Sequence, residues 1–321
     1  MHPRAWLIPL TLAWTTPAAA GCPVALSGSA TDITASLAEQ WRAGFAATYP
    51  AIPVAIDAPA GPPLSEHNPG LAQFLTGKRD FALVSRDLSA ADEARYRQTY
   101  HATPRRIPVA GGSAKAFGLL DPVVFVVNDA NPLRAVTLDQ LKTLLRADSA
   151  PAWESLGVPI WHGRAVHLIG GQGRTSSESA RARVVRDVVL RGKAFRAPFA
   201  TGTEADVPAR VAADPLAIGF TGLGHVVAGA HILAIRIGGQ AVPPDSTSLA
   251  SAAYPLARTI NLYAAPGPQS AALQQWIAYL RGPQGQRLVA MSPFLPLAAK
   301  YRPRNVSARS VLRSAACPGP G

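Results

Sequence analysis

The residues best suited to chemistry are hydroxyls and guanidinium groups placed just after short apolar runs. Ser27-Gly28-Ser29-Ala30-Thr31 follows Val24–Leu26, and Ser85-Arg86-Asp87 follows Asp80–Val84. The third such segment, Gly170 to Ser177, follows Val166–Ile169 and contains Arg174, Thr175, Ser176 and Ser177. Each reads as a loop at the carboxyl end of a strand and ahead of a helix. Unpaired N–H groups and the positive dipole end of such a helix attract an anion. Arg adds a forked set of donors that suits a tetrahedral oxyanion. Ser and Thr are also preferred helix caps, so a cap and an oxyanion site both fit Val166–Arg183. Asp32 has the same two readings, as a helix cap or as an acceptor for the proton of a monohydrogen oxyanion. Arg86 has a plainer alternative too, a surface pair with Asp87 or Asp92, which would contribute little.

Other chemistries lack their arrangement of residues. Pairing Ser176 with His167 or His225 would need a nucleophile elbow, and no Gly-x-Ser-x-Gly occurs. The histidines are scattered, with no His-x-x-x-His or Cys-x-x-Cys spacing, and acidic residues are too few for a carboxylate cage. No catalytic residue, metal or cofactor is therefore assigned, and an enzyme is not expected. The net charge of +12 suits an anionic ligand, a nucleic acid or an acidic membrane surface. Nucleic acid is set aside because no Lys/Arg run is interleaved with aromatics.

The elements that must position these loops alternate between strand and helix. Apolar residues spaced by four at Ile33, Leu37, Trp41 and Phe45 predict a helix over Ile33–Tyr49, stopped by Pro50. Strands are predicted at Ile52–Ile56, Asp80–Val84, Ile107–Gly112, Val123–Val127, Val166–Ile169 and Leu256–Ala264, and a buried strand or turn at Ala217–Phe220. Ser89 with Asp92 and Thr137 mark helix starts. Trp41, Phe45 and Trp276 read as core, and His167 as structural. Short βα units imply parallel strands covered by helices, with ligands beyond the carboxyl ends of strands.

The N-terminus reads as an export signal: His2 and Arg4 precede the apolar Ala5–Trp14, and Pro17-Ala18-Ala19-Ala20 supplies an Ala-x-Ala cleavage site. Cys22 and Cys317 are the two cysteines, one near each end of the mature chain. A disulfide between them would close a loop worth about 4–5 kcal/mol on a chain-entropy account. The competing use is a lipobox, Ala19-Ala20-Gly21-Cys22, that places a lipid on Cys22.

Taken in order, SGSATDITASLAEQWRAGF, LTGKRDFALVSRDLS, FVVNDANPLRAVTLDQLKTLL, VPIWHGRAVHLIGGQGRTSSES, ADPLAIGFTGLGHV and YPLARTINLYAAPGPQSAALQQWIAYLRGPQGQRLV resemble the PstS-like phosphate-binding proteins of ABC transporters. These belong to the class II periplasmic-binding-protein superfamily. The resemblance implies an α/β, two-lobed, Venus-flytrap fold, each lobe a mixed and mainly parallel sheet flanked by helices. It implies residues 22–110 and 258–305 for one lobe, 111–257 for the other, a signal peptide over 1–21 and a tail over 306–321. The function implied is capture of an inorganic oxyanion, phosphate first and sulfate, molybdate or tungstate next, by a periplasmic or secreted monomer that serves a membrane ABC permease. A sensor, adhesin or secretion partner that reuses the fold without transport is the alternative.

Residue by residue, the family's Gly-Ser-x-Thr loop falls on Gly28, Ser29, Ala30 and Thr31, making Thr31 a ligand through its hydroxyl and backbone N–H, with Asp32 next to it. Ser85 and Arg86 match the Ser-Arg pair. The His-Leu-x-Gly-Arg…Ser-Gly-Thr signature falls on His167 to Gly171 and Thr175, Ser176 and Ser177, so Gly171 stands where an Arg is expected and Arg174 is the replacement cation. The Gly/Ser-rich loop expected after the second strand is instead Ala60 to Gly70, which offers Ser65.

Overall fold

The computed structural model describes residues 25–58, 68–85, 87–114, 120–148, 151–172, 179–195, 200–203, 205–266 and 270–302. Two five-stranded sheets organise them. The first contains β1 (Leu26–Ala30), β2 (Val54–Asp57), β3 (Phe81–Val84), β4 (Ile107–Gly111) and, from far along the chain, β13 (Thr259–Ala264), in the order β2-β1-β3-β13-β4. The second contains β5 (Val123–Asn128), β7 (His167–Gln172), β8 (Ala200–Thr203), β9 (Ala217–Gly222) and β10 (Ala230–Ile232), in the order β10-β5-β9-β7-β8. A three-stranded sheet joins β6 (Ala135–Thr137), β11 (Ala234–Ile237) and β12 (Gln240–Val242). The chain leaves the first sheet after β4 and returns to it at β13.

Both large sheets are mixed. β1 pairs in parallel with β2 and β3, whereas β13 runs antiparallel to β3 and β4. In the second sheet β7 is parallel to β8 and β9, while β5 is antiparallel to β9 and β10. Parallel and antiparallel pairs are thus equal in number, where repeated βα units implied a parallel majority. The return of the chain as β13 accounts for the antiparallel half of the first sheet.

The helices are α1 (Ala35–Thr48), α2 (Leu71–Phe74), α3 (Ala90–Tyr100), α4 (Leu138–Arg146), α5 (Ala180–Val188), α6 (Asp206–Ala212), α7 (Ser246–Ala250), α8 (Ala271–Arg281) and α9 (Pro283–Ala290). The local start signals hold. Ser89 and Asp92 form a reciprocal capping box on α3, and Thr137 and Gln140 form another on α4. Trp41, Phe45 and Trp276 are fully buried, with Phe45 edge-on to Trp276 at 5.0 Å, so the four-residue spacing of α1 does face the core of the first sheet.

Two strand boundaries differ from the sequence reading in ways that bear on the site. Ser27 to Ala30 is part of β1 rather than a loop, because β2 and β3 flank it and take up its backbone groups. Likewise β7 extends through Gly170 and Gly171 to Gln172, paired with β8, where a loop was expected from Gly170 onward. Small residues make the first packing close: a Cβ on Gly28 would stand 2.2 Å from the Phe81 ring, and one on Gly70 2.4 Å from Ser29 Cβ. Gly70 therefore lets the start of α2 lie directly against Ser29.

Candidate functional site

The ends of β1 and β3 bring the first group of predicted ligands together. Ala30 pairs with Leu83, so Ser29 and Thr31 on one strand and Ser85 just past the other share one end of the sheet. Ser29 is 0% and Ser85 1% exposed, and neither hydroxyl has a hydrogen-bond partner. Buried polar atoms are nearly always paired, because leaving one unpaired costs about 1–3 kcal/mol. Two such hydroxyls stand at the carboxyl ends of adjacent parallel strands.

Thr31 is placed differently from expectation. Its backbone N–H, expected to reach a ligand, donates instead to the Leu83 carbonyl at 3.2 Å. Its hydroxyl shares a 2.9 Å hydrogen bond with the Thr34 hydroxyl. Asp32 is the first residue of a 3-10 turn, Asp32–Thr34, that precedes α1, and its Oδ1 accepts the Ile33 N–H at 2.7 Å. It is buried but does not occupy the cap of α1, which is Thr34. Asn68, which the sequence reading passed over, joins this corner. Its Nδ2 donates to the same Leu83 carbonyl at 3.1 Å, and its Oδ1 is buried without a partner.

Ser85 also lines a cavity of about 180 Å³ between the two sheets' helices and strands. Val184 and Val188 of α5 line it together with Arg106, Arg258 and Asn261. Arg258, 7% exposed, donates from Nη2 to the Ser85 carbonyl at 3.2 Å, and its own carbonyl accepts the Gly112 N–H at 2.8 Å. It thereby ties the end of β3 to the segments that enter and leave the first sheet. Arg106 holds both oxygens of Asp87, at 3.0 and 3.1 Å. Both bonds come from the one nitrogen Nη1, which sits between the two carboxylate oxygens in a charge-assisted contact.

On the second sheet, β7 points toward α5, whose start is capped by Ser179 accepting the Ala182 N–H at 3.0 Å. In the first turn of α5, Arg181 donates to Asp121 Oδ1 at 2.8 Å, with side chains 11% and 4% exposed. Asp121 Oδ2 accepts the Gly224 N–H at 2.9 Å. A Cβ on Gly222 would fall 2.3 Å from that carboxylate, so glycine there makes room for the pair. Burial and then the Arg181 charge lower the pKa of the half-buried His225, against the opposing pull of Asp121. His167 is exposed and bonds Asp214 at 2.7 Å, as a structural histidine would. Among the described residues, no group of His, Cys, Asp and Glu could hold a metal ion.

A family model described as a PBP superfamily domain matches residues 16–283. The chain belongs to the PBP superfamily. Solved members of similar shape include an ABC-type phosphate transport receptor from Vibrio cholerae, 17% identical, with a TM-score of 0.53 over 84% of this chain and 99% of that one. PstS from Borrelia burgdorferi is 16% identical, with a TM-score of 0.56 over 85% of this chain and 98% of that one. At such identities the likeness establishes the fold. A search of curated proteins returns no match.

In this PBP-superfamily chain, Ser29, Thr31, Asp32 and Ser85 lie within one corner of the first sheet. Arg86, Arg174, Thr175, Ser176, Ser177, Ser65, Cys22 and Cys317 lie outside the described residues. Sequence reasoning missed Asn68, Arg258 and the pair Asp121–Arg181. Of these, Arg258 had a signal, since it stands inside a segment that carried the family resemblance, YPLARTINLY. Asn68 had none: it belongs to the stretch where the family's Gly/Ser-rich loop is replaced.

Proposed function

We propose that the chain is an exported solute-binding protein that captures an inorganic oxyanion, phosphate first, for uptake by a membrane ABC permease. The observation that carries this reading is the pair of buried hydroxyls without partners, Ser29 and Ser85, at the carboxyl ends of β1 and β3. In an open α/β sheet this is where ligands bind. Hydrogen bonds to an anion are roughly twice as strong as neutral ones, so an oxyanion repays the burial of these groups in a way that a neutral solute does not. Arg86 and the segment Arg174 to Ser177 complete the ligand set by the resemblance of their motifs, with Arg86 as the principal cation. Closure of one lobe on the other would select the liganded form by its extra contacts. The family's kind, solute-binding proteins, favours capture over catalysis.

Isothermal calorimetry with phosphate, sulfate, molybdate and tungstate tests this. Micromolar or tighter binding of one anion supports it, and no heat with any of them removes it. For the exported form we propose that Cys22 and Cys317 are joined. Intact mass should then be lower by a pair of hydrogens than after reduction, whereas a lipid adduct on Cys22 excludes the bond.

A further inference from the structure

The cavity of about 180 Å³ beside Ser85 has a character that oxyanion capture does not use. Of Ser29, Thr31, Asp32 and Ser85, only Ser85 lines it. One part of its lining is apolar: Val184 and Val188 from α5, and Pro255 and Ala257 from the segment that returns to the first sheet. Val188 is 37% exposed there, although valine is among the residues most often fully buried. An apolar surface left open in this way marks a ligand groove or a contact site. The volume is small beside pockets that hold drug-sized molecules, and it suits a single ring or a short branched chain.

The polar part of the lining is cationic, with Arg106, Arg258 and Lys300 set against one acid, Asp87. Both hydrogen bonds that Arg106 makes leave from Nη1 and end on Asp87, so its Nε–Nη2 edge has no partner among the described residues. Lys300 Nζ spends one donor on the Ala252 carbonyl at 2.7 Å and keeps its others. A guanidinium edge matches the two oxygens of a planar carboxylate, and the apolar lining matches a hydrocarbon body. We propose that this cavity is a second anion site, which takes a small organic carboxylate with an apolar body. The carboxylate lies on the Arg106 edge within reach of Lys300, and the body lies against Val184, Val188, Pro255 and Ala257. An acid bound there bridges α5 and the first sheet, next to the segment through which the chain returns at β13. The inference does not rest on the oxyanion reading.

The test is calorimetric titration of the full-length mature protein with benzoate. Benzyl alcohol supplies the same body without the charge, and acetate the charge without the body. Benzoate should bind with a Kd at or below about 1 mM. Each control should bind at least about tenfold more weakly, one for want of the charge-assisted contact and the other for want of apolar burial. Val188→Trp, which fills the cavity from a partly exposed position, and Arg106→Met should each weaken benzoate by at least about tenfold, with thermal unfolding to show that each variant is folded. No benzoate binding to the wild-type chain overturns the proposal, and so does benzyl alcohol binding as well as benzoate. Unchanged benzoate affinity in either folded variant also overturns it. Displacement that keeps growing with phosphate concentration puts benzoate at the oxyanion corner and overturns it as well, whereas a shift that levels off supports two coupled sites. If phosphate does not bind at all, the oxyanion reading alone falls and the benzoate titration still decides this one.

Discussion

Arg181 and Asp121, 60 positions apart in the sequence, form an ion pair with N–O distance 2.8 Å that is nearly sealed from solvent. Asp121 is further held by the Gly224 N–H, so each of its oxygens has a donor. The pair joins the first turn of α5 to the chain just ahead of β5 and to the segment after β9. Breaking such a pair strands a buried charge. Asp121→Ala should destabilise the fold by about 3–5 kcal/mol, whereas Asp121→Leu with Arg181→Met should recover most of that loss. Urea unfolding midpoints at constant slope are the measurement. Equal destabilisation by the single and double changes would refute the pair's role.

Ser29 and Ser85 should separate stability from binding. Because each buried hydroxyl lacks a partner in the unliganded fold, Ser29→Ala or Ser85→Ala removes an unpaired polar group, leaving stability unchanged or raised by up to about 1 kcal/mol. Each change should weaken anion binding by about 1.5–3 kcal/mol, as for a hydrogen bond to a charged group. Thermal unfolding without ligand and titration with phosphate read the two effects. A variant that loses stability while binding normally contradicts the ligand role.

Gly28 is fixed by the ring it faces. A Cβ there would meet Phe81 Cζ at 2.2 Å, and both residues lie in the packed interior of the first sheet. Gly28→Ala should cost about 1–3 kcal/mol by overpacking. Combining it with Phe81→Leu should cost less than the sum of the single changes, since the smaller side chain makes room. A chemical-denaturation cycle over the single and double variants measures the difference.

His225 ties stability to pH. Burial and the neighbouring Arg181 charge lower its folded pKa below the ordinary value of 6.5. Below about pH 6.5 the unfolded chain therefore binds the proton more readily than the folded one. Its contribution favours folding above that pH and fades as pH falls toward the lowered folded pKa. His225→Gln should flatten the stability profile on the acid side of about pH 6.5, measured by urea unfolding at a series of pH values below it. A profile of unchanged slope would assign the acid sensitivity to other groups.

The parts of this protein legible in the sequence are those whose causes are local. A four-residue apolar spacing set the buried face of α1, and hydroxyl–acid or hydroxyl–amide pairs three positions apart set the starts of α3 and α4. The loops at strand ends drew attention to Ser29 and Ser85 because backbone topology alone places ligands there. Short strands such as β10, β11 and β12 went unread, since three or four residues carry too little alternation to stand out.

What only the tertiary structure decided are the partners of those groups. Arg258 reaches the Ser85 carbonyl across 173 positions, β13 inserts between β3 and β4, and Asn68 and Thr31 converge on one carbonyl of Leu83. None of these contacts has a sequence spacing that fixes it, because strands pair through backbone groups common to every residue. The residue types thus determined which hydroxyl and amide groups were available at the strand ends. The pairing of strands decided which of them remain unspent.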